Sequence, residues 1–249
     1  MNIPVYSAEV PSLSTAQMVE VDRLMVEVYH VELVQMMENA GRNLAHLARL
    51  RFLDGDPRGR SVVVAAGGGG NGGGALACAR RLSNWGADVW VVLTGPPEAF
   101  TSVPARQLEI LERMGVPVAQ AEEITAVHAA GRLDLIVDGI IGYSLSGAPR
   151  GNPARLIRWA NGQGVPILAL DTPSGLDTTS GAAFDPAIRA TATMTLALPK
   201  RGFSLPEAEA YTGELYLADI SVPPSLYADE SVGVRVGQLF AESDIIRLR

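Results

Sequence analysis

Ser61-Val62-Val63-Val64-Ala65-Ala66 runs directly into Gly67-Gly68-Gly69-Gly70-Asn71-Gly72-Gly73-Gly74 and then into Ala75-Leu76-Ala77-Cys78-Ala79-Arg80. The first piece is a short, continuous apolar run, which suits a strand covered on both faces rather than one facing water. The glycines permit a tight turn, and a helix follows at once. Outward from this strand–turn–helix unit the rhythm repeats. Apolar strands are expected at Asp88–Leu93, Val116–Ala119, Leu133–Val137 and Pro166–Leu170, with helices at about 72–85, 103–114, 122–130 and 153–161. Alternation of this kind predicts an α/β fold with a parallel sheet between helical layers. Upstream, Ser14 with Gln17 forms a capping-box pattern that opens a helix to about Val28. A second helix, Val31–Phe52, carries Leu33, Met36, Met37, Ala40, Leu44 and Leu47 at three- and four-residue steps. Both precede the first strand, so they should pack across the sheet or against a partner subunit. Downstream, Thr191–Leu198 and Glu214–Ile220 read as extra edge strands joined by a long loop containing Pro199, Gly202, Pro206 and Gly213. No low-complexity linker divides the chain, which reads as one domain over residues 1–249.

Composition narrows the function. A 47% hydrophobic, 19% charged chain of 249 residues can build a sizeable core. No apolar run approaches the ~18 residues that span a bilayer, so no membrane association is expected. Met1–Val10 lacks the basic-then-apolar order of a secretory signal. One cysteine, Cys78, cannot form an internal disulfide and suits a cytoplasmic protein, and three unclustered histidines argue against zinc. The formal charge of −7 argues against nucleic acid as partner; Arg49–Arg51 and Arg58–Arg60 are too short to make a basic face. A phosphate-bearing small ligand remains compatible, because helix N-terminal amides bind anions without lysines.

Three segments carry chemistry. The glycine run at 67–74 satisfies the loose Gly-x-Gly-x-x-Gly pattern, as almost any such glycine-rich stretch would. It is either a ligand loop or a plain flexible connection. Asp138 ends an apolar strand and enters Gly139-Ile140-Ile141-Gly142; Asp171 does the same before Thr172-Pro173-Ser174-Gly175-Leu176-Asp177. In a parallel sheet both emerge at the edge that holds the glycine loop, where open α/β sheets bind ligands. Such carboxylates can hold a cation, orient a ribose or move a proton, or each can cap its own turn. Ser174 lacks the leading glycine of a nucleophile elbow, and no histidine follows it in the chain. His30, His46 and His128 fall on helical or pre-helical segments with no chemical setting.

Taken in order, these pieces resemble the YjeF N-terminal domain family, the NAD(P)H-hydrate epimerases. The likeness covers roughly residues 12–227. It runs through Thr15-Ala16-Gln17-Met18 with Asp22, Met37-Glu38-Asn39-Ala40-Gly41, the glycine loop, Ile136 to Gly142, Asp171 to Asp177, Pro199-Lys200-Arg201-Gly202 and Tyr211-Thr212-Gly213. The resemblance implies a Rossmann-like three-layer α/β/α sandwich, a homodimer, and action on the damaged cofactors NADHX and NADPHX. Such enzymes interconvert the R and S epimers so that a separate dehydratase can restore the S form. By position, Gly70, Asn71, Gly72, Gly73 and Gly74 match one substrate-binding loop. Gly142, Tyr143, Ser144, Leu145, Ser146, Gly147 and Ala148 match a second, and Asp171 matches the acid that contacts substrate, taken here as catalytic. Asn71, Asp138 and Ser174 match ligands of one potassium ion per subunit.

The loop departs from the family pattern Gly-x-Gly-Asn-Asn-Gly-Gly-Asp-Gly at Gly70, Gly74 and Ala75. An amide and a carboxylate side chain are missing, while backbone donors remain. That motivates an alternative expectation, a non-catalytic or altered-specificity nucleotide-binding homologue. Tyr143-Ser144-Leu145-Ser146-Gly147 also departs, and Tyr143 is expected to narrow the pocket. An ordinary NAD-dependent oxidoreductase is disfavoured, because Thr94-Gly95-Pro96-Pro97-Glu98 offers no clean acid at the second strand's end to hold a ribose.

Overall fold

The computed structural model describes residues 3–124 and 132–249. Helix α1 (Thr15–Glu27) opens on the expected capping box. The Ser14 hydroxyl accepts the Gln17 N–H at 3.2 Å, and the Gln17 carboxamide accepts the Ser14 N–H at 3.0 Å. Helix α2 spans Leu33–Phe52, two residues shorter at its start than expected. His30 adopts a left-handed φ of 54°, and the Val31 N–H bonds back to the Met25 carbonyl. Both residues are therefore spent on the turn out of α1.

The alternating region gives β1 (Ser61–Ala66), α3 (Gly70–Asn84), β2 (Asp88–Leu93), α4 (Ser102–Arg113), β3 (Val118–Gln120), β4 (Leu135–Gly139), α5 (Gly151–Asn161) and β5 (Ile167–Leu170). Strand β3 starts later than expected because the Val116 N–H terminates α4 on the Leu111 carbonyl and Pro117 has no N–H to offer. The expected helix at 122–130 begins with a single 3₁₀ turn, Ala121–Glu123, followed by buried Ile124; residues 125–130, with His128, lie outside the described residues. Near the C-terminus come β6 (Ala192–Leu196), α6 (Pro206–Thr212), β7 (Glu214–Ala218), α7 (Pro224–Tyr227) and β8 (Ile245–Arg247). The connection expected as a plain loop contains α6. Strands β6 and β7 pair in parallel, which demands a crossover, and Pro206 at the first helical turn suits its start.

Among the described residues one eight-stranded sheet runs β3-β2-β1-β4-β5-β6-β7-β8, parallel except for β8. Side chains of β1 alternate between its two faces. Val62, Val64 and Ala66 pack with α1 to α4, while Val63 and Ala65 pack with Leu156, Ile157 and Ala160 of α5. The sheet is thus covered on both sides, as its continuous apolar strands require. Helices α1 and α2 lie across the first face, with α2 against α3. A Cβ on Gly41 would lie 2.5 Å from that of Ala77 and 2.7 Å from the Gly74 carbonyl oxygen, so only glycine fits there. No described helix is long and apolar enough to cross a membrane.

Chain order reverses at β1: it pairs with β2 on one side and β4 on the other. At such a switch point the loops leaving the two strands diverge to opposite layers and leave a crevice beyond their carboxyl ends.

Candidate active site

The crevice is a cavity of about 360 Å³. Its floor is the start of α3. Gly69, the N-cap, has no side chain to satisfy the first-turn N–H groups, so the helix opens uncapped, a setting that favours an anion. Gly70, Asn71, Gly72 and Gly74 line the cavity; Gly73 does not, and a Cβ there would meet Met37 Sδ at 2.5 Å. A Cβ on Gly72 would sit 1.7 Å from the Gly67 carbonyl oxygen, so the loop can fold back only around glycine. Of the second loop, Gly142, Tyr143 and Ser144 line the cavity; Leu145, Ser146, Gly147 and Ala148 are not among its lining residues.

Asp171 lines the cavity at the end of β5 and adopts a left-handed φ of 63°. Its Oδ1 accepts from the ammonium of Lys200 and from the Leu196 N–H at 3.2 Å. Lys200 is fully buried, and it also donates to Thr195 Oγ1 at 3.1 Å and to the Leu196 carbonyl at 3.0 Å. A buried ammonium is stable only beside acceptors and a counter-ion, and the end of β5 supplies both through Asp171. Backbone bonds from Leu13 to Pro199 and from Arg201 to Leu13 tie the N-terminal arm around that lysine.

Asp138 is fully buried and is not a lining residue. Oδ1 accepts the Ser174 hydroxyl at 2.6 Å and the Ile140 N–H at 3.2 Å, while Oδ2 accepts the Ser174 N–H at 2.8 Å. The carboxylate joins the turns leaving β4 and β5 and so sets the cavity wall. Burial pushes its pKa up to about 6, against the opposing pull of those hydrogen bonds. No described cation forms an ion pair with it. Asn71 lines the cavity next to Gly142, and its buried Nδ2 has no hydrogen-bond partner.

Two features were not assigned a role from sequence. Asp22, on the otherwise apolar face of α1 that buries Met18, Val21 and Met25, lines the cavity and accepts the Tyr143 hydroxyl at 2.5 Å. A carboxylate four residues from Met18 on that face was the available signal. Lys200 is the other; a lysine directly after Leu198-Pro199 reads as turn surface until the fold buries it.

The family model described as YjeF-related protein N-terminus matches residues 33–202. A Dehalogenimonas lykanthroporepellens protein named NAD(P)H-hydrate epimerase is 43% identical over 209 residues, covering 84% of this chain and 81% of that one. A Moorella thermoacetica protein named bifunctional NAD(P)H-hydrate repair enzyme is 35% identical over 232 residues; this chain spans only 43% of its length. The crystal structure of yeast ynu0 (YNL200c) superposes with a TM-score of 0.80 at 25% identity, covering 96% of this chain and all of the yeast chain. A match over most of the chain, a three-layer fold shared with the yeast protein, and a cavity at the switch point agree: the chain belongs to the YjeF-related protein N-terminus family.

Proposed function

We infer that this chain is an isomerase that interconverts the R and S epimers of hydrated NADH and NADPH for cofactor repair. The observation that carries this reading is the 43% identity, across most of both chains, with a protein named for that activity. The cavity supports it. The uncapped start of α3 suits the pyrophosphate of a dinucleotide, and a polar group, Asp171, stands at the wall for the reacting ring. Loss of side chains at Gly70 and Gly74 leaves those backbone donors in place for binding, and the likeness to a protein named for the epimerase activity favours turnover over the non-catalytic alternative.

The reacting carbon carries a hydroxyl beside the ring nitrogen. The hydroxyl departs as the nitrogen lone pair forms a C=N bond, and water returns from the other face. Asp171, held in place by its hydrogen bond from Lys200, takes the proton of the entering water. The Asp138, Asn71 and Ser174 oxygens fit a potassium ion. They are the hard donors an alkali cation accepts, and Asp138 is a buried carboxylate with no described cation beside it. Bound there, potassium supplies fixed positive charge next to the wall that Asp138 and Ser174 build. We further assign the chain to the cytoplasm as a homodimer, working beside a dehydratase specific for the S epimer.

Purified protein added to mixed R- and S-NADHX with an S-specific dehydratase should drive consumption of both epimers; without it, only the S fraction disappears. Asp171→Asn should slow this by about 100-fold or more, and a variant as fast as the parent removes the role assigned to Asp171. Potassium chloride should raise the melting temperature above that in choline chloride, and Asp138→Asn should abolish the difference.

A further inference from the structure

Only two carboxyl groups stand among the described residues lining the cavity, Asp22 and Asp171. They are held in opposite ways. Asp171 is neutralised by a buried ammonium. Asp22 forms no ion pair among the described residues; its Oδ2 accepts the phenol of Tyr143, and its Oδ1 has no protein partner there. The two arrive in the one cavity from separate elements, α1 and the end of β5, near enough for the charge of Asp171 to act on Asp22. We propose that Asp22 is a second catalytic residue of this site, the acid that protonates the departing hydroxyl while Asp171 serves as the base; this rests on the epimerase reading.

The groups facing Asp22 agree with the assignment. Burial favours its neutral form most strongly. The phenol of Tyr143, from the segment after β4, pulls toward the carboxylate; the charge of Asp171 pushes toward the neutral acid, and Lys200, after β6, pulls weakly back. The net displacement is upward. Two carboxyl groups in one cavity with such unlike surroundings, one facing a phenol and the other an ammonium, are a common basis for dividing acid and base roles.

The step balances. Protonated Asp22 gives its proton to the hydroxyl, the C–O bond breaks, water leaves, and the nitrogen lone pair becomes the second bond of C=N. Water then adds from the opposite face, a new C–O bond forms, the C=N electrons return to nitrogen, and the released proton passes to Asp171. The carbon is inverted and one proton has moved from Asp22 to Asp171. Exchange with solvent resets the pair, and the reverse epimerisation uses the same groups with roles exchanged.

The test is the rate of R-to-S conversion of NADHX against pH for the full chain, Asp22→Asn and Tyr143→Phe. Asp22→Asn should lose about 100-fold or more in kcat with KM within about threefold, and its residual rate should lack the alkaline limb of the profile. Tyr143→Phe removes a donor that favours the carboxylate, so its alkaline limb should move to higher pH, a displacement that a purely structural contact would not produce. Asp22→Asn at the parental rate overturns the proposal, as does an unmoved alkaline limb in Tyr143→Phe. Should Asp22→Asn fail to melt cooperatively, the Tyr143→Phe profile decides alone. A parent chain that leaves the epimer ratio unchanged overturns both this assignment and the epimerase reading, whereas an active parent with an unaffected Asp22→Asn sinks the assignment only.

Discussion

Neighbouring glycines in the ligand loop answer to different constraints, although they look alike as letters. At Gly72 an added methyl would lie 1.7 Å from the Gly67 carbonyl oxygen, so alanine must open the turn that seats α3. At Gly70 the nearest atom is Met37 Cε at 3.9 Å, the residue is exposed, and its φ is not left-handed. Gly70→Ala should therefore stabilise by about 0.5–1 kcal/mol, through reduced unfolded-chain entropy and better helix propensity. Gly72→Ala should cost at least about 2 kcal/mol from the forced backbone shift. Urea melts of the two variants check both signs, and equal effects would refute this account of the loop. The family's asparagine at position 70 would find the same open space. Its aspartate at position 74 would not, because a Cβ there meets Leu170 Cδ2 at 2.9 Å. None of this was legible in the run of glycines itself, since which of them is obligatory depends on what Gly67, Met37 and Leu170 bring from elsewhere.

Among the elements, the segment from β6 to α6 does the most that sequence concealed. It delivers Lys200 under Asp171 and pairs with Leu13 of the N-terminal arm, which is itself fully buried. Lys200→Met should destabilise by about 3–5 kcal/mol, because it leaves a carboxylate buried without its counter-charge. Pairing it with Asp171→Leu should recover much of that loss, and the non-additivity read from denaturant melts is the check. Additive losses would show that the two charges do not depend on one another. The long, periodic elements were readable: α1 from its capping box, α2 from its apolar stripe, and β1, β2 and β5 from short apolar runs bounded by glycine or proline. Helix α6 was not, because seven residues opened by a proline carry no periodicity. Asp171 was legible as a strand-end acid, yet its partner was not, since a lone lysine beside proline carries no sign of burial.

At the scale of the molecule, topology explains why residues so far apart in sequence share one cavity: the reversal at β1 parts the loops after β1 and β4, and α1 and α2 close over them. That closure leaves an apolar strip uncovered. Val19 and Val26 of α1, Val28 and Tyr29 just after it, and Leu33 and Val34 at the start of α2 are each 38–54% exposed. Leu33 also lines the cavity, so the strip borders its mouth. Six large apolar side chains exposed within residues 19–34 exceed the scattered exposure normal for a monomer, and we expect an interface there. A second copy of this chain is the economical cover, since a twofold axis through the strip sets each apolar face on its equal. Light scattering at tens of micromolar should then give about twice the 26.3 kDa of the chain. Val28→Glu combined with Val34→Glu should halve that mass, because two like charges per copy would be desolvated against their own images. The far-ultraviolet spectrum should stay that of the folded parent, as both positions face solvent in the single chain. A parent that is monomeric at that concentration, or a double variant that stays dimeric, would mean the strip is covered by something other than its own copy.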